Sequence, residues 1–225
     1  MPGSQVLGRL LEGAGITVQV TALAVLLGTV LALAGGLAGL SSRPWVRWVV
    51  RIYVELFRGV SAIILLFWVF FALPIMLNIF LSPLHAGVLA LGTNMGAYGT
   101  ELVRGGIQAV PRGQSEAATA LNMTYWQRLR HVVFPQALVT MLPPYGSLVI
   151  EVLKASSLVS LIALNDLMRQ AQTLRVNGTA SSPEIFLGVF LLYGLLAGVI
   201  TLAVRLAERR FGKGLDVGRL ARVVK

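Results

Sequence analysis

The ionisable side chains embedded in apolar stretches of this sequence include Glu101, Arg104, Glu151 and Lys154. A charge is costly in a medium of low dielectric, so an acid or base kept there either neutralises a neighbour or meets a charged ligand. Glu101 and Arg104 stand three apart, as do Glu151 and Lys154, and on a helix this spacing permits both readings. Facing a common cavity, Glu151 and Lys154 would match the opposite charges of a zwitterionic solute. Asn94, Tyr98, Ser156 and Ser157 would add neutral hydrogen bonds along the same path. This is the chemistry of binding and passage, and no catalytic constellation accompanies it. With no cysteine and only two distant histidines, His85 and His131, the chain suggests no metal site. No Gly-x-x-x-x-Gly-Lys phosphate loop occurs, so any ATP and Mg would be held by a partner and no cofactor by this chain.

The elements that position these residues are membrane helices. The 225 residues are 56% hydrophobic and only 12% charged. About 20 apolar residues cross a hydrocarbon core as a helix, because a helix satisfies its own backbone hydrogen bonds where water is absent. Residues 16–40 form the first such run. Residues 59–100 carry no formal charge and are interrupted by Ser82-Pro83-Leu84-His85, which supplies a second and a third. Residues 132–150, extended by 155–165, give the fourth and residues 185–204 the fifth. The first run is too long for a signal-peptide core and has no cleavage pattern, which makes it a retained span. Gly35 and Gly39 would let another helix approach closely.

Five crossings place the termini on opposite sides, and arginine decides which is which. One side receives Arg43, Arg47, Arg51, Arg58, Arg104, Arg112, Arg128, Arg130, Arg205, Arg209, Arg210, Lys213, Arg219, Arg222 and Lys225. The other receives Arg9, Lys154, Arg169 and Arg175. The first side is therefore expected to be cytoplasmic, with the N-terminus outside and the C-terminus inside. The formal charge of +10 reads as topology, and no aromatic-rich basic module points to nucleic acid. Residues 1–225 make a single domain, with a core over about 12–210, a cytoplasmic loop at 104–135 and a basic tail at 205–225.

The central loop has helix-forming content. Residues 114–121 read as a short helix closed by Asn122 in a left-handed cap, and Thr124-Tyr125-Trp126-Gln127 fits a capping box opening a second short helix. Pro135 restricts its predecessor and marks the start of the next span. Leu121, Met123, Tyr125 and Trp126 would project for docking, although spacing alone also allows an amphipathic segment lying on lipid.

Glu116-Ala117-Ala118, Asn122, Val132 and Pro135 resemble the EAA loop of ABC importer permeases. Residues 96–107, Val110-Pro111-Arg112-Gly113-Gln114, Phe134-Pro135-Gln136-Ala137, Leu142-Pro143-Pro144 and Lys154-Ala155-Ser156-Ser157-Leu158 are similar to the polar amino-acid uptake branch. The resemblance runs over about 12–210. It implies an all-α integral membrane protein of the type I, MetI-like permease fold, multi-pass in the bacterial inner membrane. It further implies an ATPase dimer, a second permease, identical or paralogous, and an extracytoplasmic solute-binding protein as partners. Glu116, Ala117, Ala118, Leu121, Asn122, Met123 and Pro135 would then couple the ATPase to the membrane helices, with Glu116 as the anchoring charge.

Asn122 stands where the family has glycine, and asparagine is the next most tolerant residue for a left-handed backbone. Val60-Ser61 replaces the branch's usual Thr-Pro, and Ala155-Ser156 its usual Asp-Thr, which removes an acid beside the path. With residues 66–71, 120–122 and 171–174, these departures resemble ectoine and hydroxyectoine permeases, while glutamine or histidine is the rival cargo. A secondary transporter would need two pseudo-symmetric halves, against which five spans argue. A non-transporting membrane scaffold would use the loop only as a docking surface.

Overall fold

The computed structural model describes residues 3–179 and 181–212. Lys213, Arg219, Arg222 and Lys225 of the basic tail lie outside the described residues. The fold is all-helical: α1 (Gly3–Ala38), α2 (Pro44–Gly59), α3 (Ala62–Phe67), α4 (Leu73–Leu77), α5 (Pro83–Gln108), α6 (Arg112–Ala120), α7 (Tyr125–Arg128), α8 (Phe134–Ala155), α9 (Leu167–Val176) and α10 (Ser182–Gly212).

Among the described residues three helical stretches are long and apolar enough to cross a membrane, Gln5–Ala38, Tyr125–Ile162 and Ser182–Phe211. Pro44–Gly59 and Ala62–Leu77 make a fourth if the pair, bent by 103°, is one span. The remaining expected crossing, the third in chain order, corresponds to α5. Its 26 residues rise about 39 Å at 1.5 Å per residue, but they include His85, Glu101, Arg104 and many glycines. Its composition follows its place: α1, α2, α3 and α8 all pack against it, so small residues serve where a peripheral helix needs apolar bulk.

The glycines of the first span pack within the chain. A Cβ on Gly36 would come within 2.5 Å of Val103, and one on Gly99 within 2.5 Å of Ala32, so α1 and α5 lie against each other through mutual small-residue faces. Around this pair, Val20, Leu66, Leu91, Met95, Leu148 and Val159 build the main core.

Two π-turns interrupt the helices, Trp68–Ala72 and Leu129–Val133, and each ends two residues before a proline, Pro74 and Pro135. A proline lacks its N–H and crowds the carbonyl four residues back, which here belongs to the π-turn; the wider turn accommodates both defects. The expected short second helix of the loop is α7, opened by the Thr124–Gln127 capping box, and it does not stop at Arg128. From Tyr125 the chain runs through the π-turn into α8 as one span-length stretch.

Candidate functional site

Two regions carry the residues singled out above. The first is the corner between α6 and α7. Asn122 has φ 55°, Met123 N–H donates to Ala118 O at 3.1 Å and Asn122 N–H to Thr119 O at 2.9 Å, the paired bonds of a Schellman cap. Thr124 and Gln127 form the reciprocal capping box, with Thr124 N–H to Gln127 Oε1 at 2.9 Å and Gln127 N–H to Thr124 Oγ1 at 3.4 Å. Arg128 closes the corner by donating to Thr119 Oγ1 at 2.8 Å, and Gln136 ties α8 back to Gln114 of α6. Ala118 is buried beneath while Leu121 and Trp126 are 74% and 69% exposed. Glu116 and Ala117 are also exposed, Met123 and Pro135 half-buried. The loop thus presents a rigid, two-sided knob with an acid and large apolar side chains outward.

The second region is a cavity of about 470 Å³ between α2, α3, α5 and α8. Asn94, Tyr98 and Glu151 line it, together with Arg58, Ser61 and Ala155. The end of α2 is stitched to α5 by Tyr53 Oη donating to Thr93 O at 2.8 Å and Asn94 Nδ2 to Phe57 O at 2.7 Å. Those bonds fix Arg58, whose guanidinium lies over the Tyr98 ring at 5.0 Å from its centroid. One cation and one anion, Arg58 and Glu151, therefore face one space with neutral donors beside them.

Lys154 lies outside this lining, and among the described residues Glu151 and Lys154 form no ion pair. Ser156 is fully buried, donating to Leu153 O at 2.7 Å, and Ser157 donates to Lys154 O at 2.8 Å; neither reaches the cavity. Glu101 and Arg104 pair with each other through two hydrogen bonds, as their spacing allows. The sequence reading used Arg58 only as a topological charge. The signal available was its position immediately before Gly59-Val60-Ser61, where a helix break leaves an arginine at the break rather than on a helix face.

Comparison with known proteins gives this geometry its relatives. A sequence profile described as "Binding-protein-dependent transport system inner membrane component" matches residues 12–216. The chain is 46% identical over 207 residues to the probable amino-acid ABC transporter permease protein y4tF of Sinorhizobium fredii, covering 90% of this chain and 87% of that one. It is 32% identical over 202 residues to the glutamine transport system permease protein GlnP of Escherichia coli, covering 89% and 92%. A solved structure described as "Crystal structure of an amino acid ABC transporter with histidines" superposes with TM-score 0.82 at 33% identity, covering 90% of this chain and 94% of that one. An inward-facing MetNI methionine ABC transporter shares the fold, with TM-score 0.77 at 21% identity over 90% of this chain and 96% of its own. The chain belongs to the family of binding-protein-dependent transport system inner membrane components.

Proposed function

We propose that this protein is the permease subunit of an amino-acid ABC importer, and that it conducts a small zwitterion of no net charge. The observation that carries the solute class is the cavity in which Arg58 and Glu151 stand as one charge of each sign. A carboxylate fits the planar fork of a guanidinium, and an ammonium or amidinium fits the carboxylate of Glu151. The names of the relatives, amino-acid and glutamine permeases, support the class. In this reading five spans cross the inner membrane, N-terminus outside and C-terminus inside, with α5 as the central one. The α6–α7 knob, including Glu116, seats in an ATPase dimer that binds ATP and Mg and does the hydrolysis. A second permease completes the pathway and an extracytoplasmic binding protein delivers the solute.

A second reading, ectoine or hydroxyectoine as the zwitterion, is favoured by the position of the sequence departures. Val60, Ser61 and Ala155 all line the cavity, so the acid missing at 155 is missing from the cavity wall. A site with one acid fewer disfavours cationic amino acids and suits a neutral cyclic one. The test is ATP-driven uptake into vesicles holding the reconstituted complex, with labelled glutamine and ectoine and unlabelled lysine as competitor. Neutral zwitterions should be taken up and lysine should fail to compete. Competition by lysine as strong as by the unlabelled neutral solutes would overturn the solute class, and uptake without ATP would overturn the importer.

A further inference from the structure

A second cavity, of about 490 Å³, lies between α2, the end of α1 and α5. Its charged lining is Arg47, Arg51, Arg58 and Arg104 with Glu55 and Glu101. Arg58 is the residue common to this lining and that of the first cavity among the described residues.

The two cavities differ in charge. In the second, both carboxylates are already taken: Glu55 accepts from Arg51 at 2.7 Å and Glu101 from Arg104 through two bonds. Arg47 donates to the carbonyls of Ser41 and Ser42 at 3.0 and 3.4 Å, and Arg58 lies on the Tyr98 ring, so neither guanidinium has a carboxylate. Arg58 belongs to both linings; apart from it the first cavity holds Glu151, one negative charge, and the second three arginines against two glutamates, one positive charge in excess. A carboxylate on Arg58 is thus drawn toward the second cavity. The contact that holds Arg58 back is a stacking on the exposed Tyr98 ring, which thermal motion releases readily.

We infer that the α2–α5 cavity is a second station for the solute's carboxylate, and that Arg58 hands the carboxylate from the first cavity to the second. Rotation of one side chain moves the solute's anionic end from negative surroundings to positive ones while the fork stays engaged. This rests on the reading that the first cavity is the solute path. It assigns Arg47 to passage after loading and Glu151 to loading itself.

The experiment is uptake kinetics of a neutral amino acid by the complete reconstituted complex, with ATP hydrolysis measured in parallel to report assembly. Arg47→Gln should lower kcat about tenfold with KM nearly unchanged and with more ATP spent per solute. Arg58→Lys keeps the charge but loses the fork, and should lower kcat and raise KM together. Glu151→Gln should raise KM. Arg58→Lys with wild-type kinetics, or Arg47→Gln that raises KM as Glu151→Gln does, would overturn the second station. Glu151→Gln with unchanged KM beside a slowed Arg47→Gln would overturn the first cavity as the loading site and leave the second standing. An Arg47→Gln complex that no longer hydrolyses ATP is judged by Arg58→Lys alone, whose wild-type kinetics would again overturn the proposal.

Discussion

The chain turns two corners of the same design, one before and one after the long stretch containing α8, and holds them by opposite means. At Asn122 and at Ala163 a non-glycine residue adopts positive φ, 55° and 61°. Each closes a Schellman pair, the second through Leu164 N–H to Val159 O and Ala163 N–H to Ser160 O, both 3.3 Å. Each is followed by a capped helix, from Thr124 in the first and Asp166 in the second. The Asn122 corner stands exposed, and its capping bonds are local, with one side-chain tie from Gln136 of α8 to Gln114. The Ala163 corner is pinned from outside: Asp166, Leu167 and Thr17 are fully buried, and Leu167 N–H donates to Thr17 Oγ1 of α1 at 3.1 Å. A Cβ on Gly13 would meet Leu167 Cα at 2.8 Å, so α9 sits directly on the α1 backbone. A corner that must present a surface to a partner carries its own stiffness, while one that must hold helices together borrows it from them.

The largest effect is expected at Asp166, which caps α9 by accepting from Met168 N–H at 3.2 Å and Arg169 N–H at 3.0 Å. Asp166→Ala removes the cap, leaves two part-buried donors unpaired and empties a buried site, and should lower stability by about 2–4 kcal/mol, read as the thermal unfolding of the purified complex. Burial pushes the Asp166 carboxyl up to about 6 from its ordinary 3.8, against the lowering by those backbone donors; Arg169 on its own helix and Tyr193 on α10 are its titratable neighbours. The folded state then holds a proton that the unfolded state has released, so this group's contribution to stability falls as pH rises from about 4 through 6 and is level above. Asp166→Asn keeps an acceptor for the cap and should flatten that pH dependence. A wild-type complex whose unfolding temperature ignores pH across this window would show that Asp166 is not pinned in the way its burial indicates.

A smaller stability effect, with a larger functional one, is expected at Asn122. A β-branched side chain in the left-handed region costs about 1–2 kcal/mol, and the exposed turn itself is shaped by its local capping bonds rather than by a neighbouring helix. Asn122→Val should leave ATP hydrolysis running while uptake falls, and Asn122→Gly should transport nearly as the wild type does. Equal uptake by the two would break the contrast, because it would mean that contacts elsewhere hold this corner as well.

The difference between the corners also explains what could be read from sequence. The Asn122 cap and the Thr124–Gln127 box were legible because each bond spans at most five residues and each residue type is specific to its place. The Ala163 corner was not, since alanine gives no signal for positive φ and its support comes from Thr17 and Gly13, about 150 residues earlier. Arg58 was missed for a related reason: its sharing of a cavity with Glu151 depends on the bend between α2 and α3 and on their packing against α5 and α8. The helix α5 was expected from the lack of charge over 59–100, yet its burial was invisible to hydropathy, which reads the surface that faces lipid.

The smallest effect, and the sharpest contrast, is expected at Ala163. Alanine at φ 61° and ψ 22° carries left-handed strain that glycine lacks, whereas glycine loses more chain entropy on folding. The first term exceeds the second, so Ala163→Gly should stabilise the complex by about 0.5–1 kcal/mol. Asparagine there should fall between the two, which unfolding temperatures of the three complexes would rank. Uptake should be unchanged in all of them, because Asp166, Leu167 and Thr17 fix the corner whichever residue occupies the turn. If Ala163→Gly instead altered uptake without altering stability, the pinned corner would be a moving part, and the division between a self-stiffened surface and a borrowed stiffness would fail.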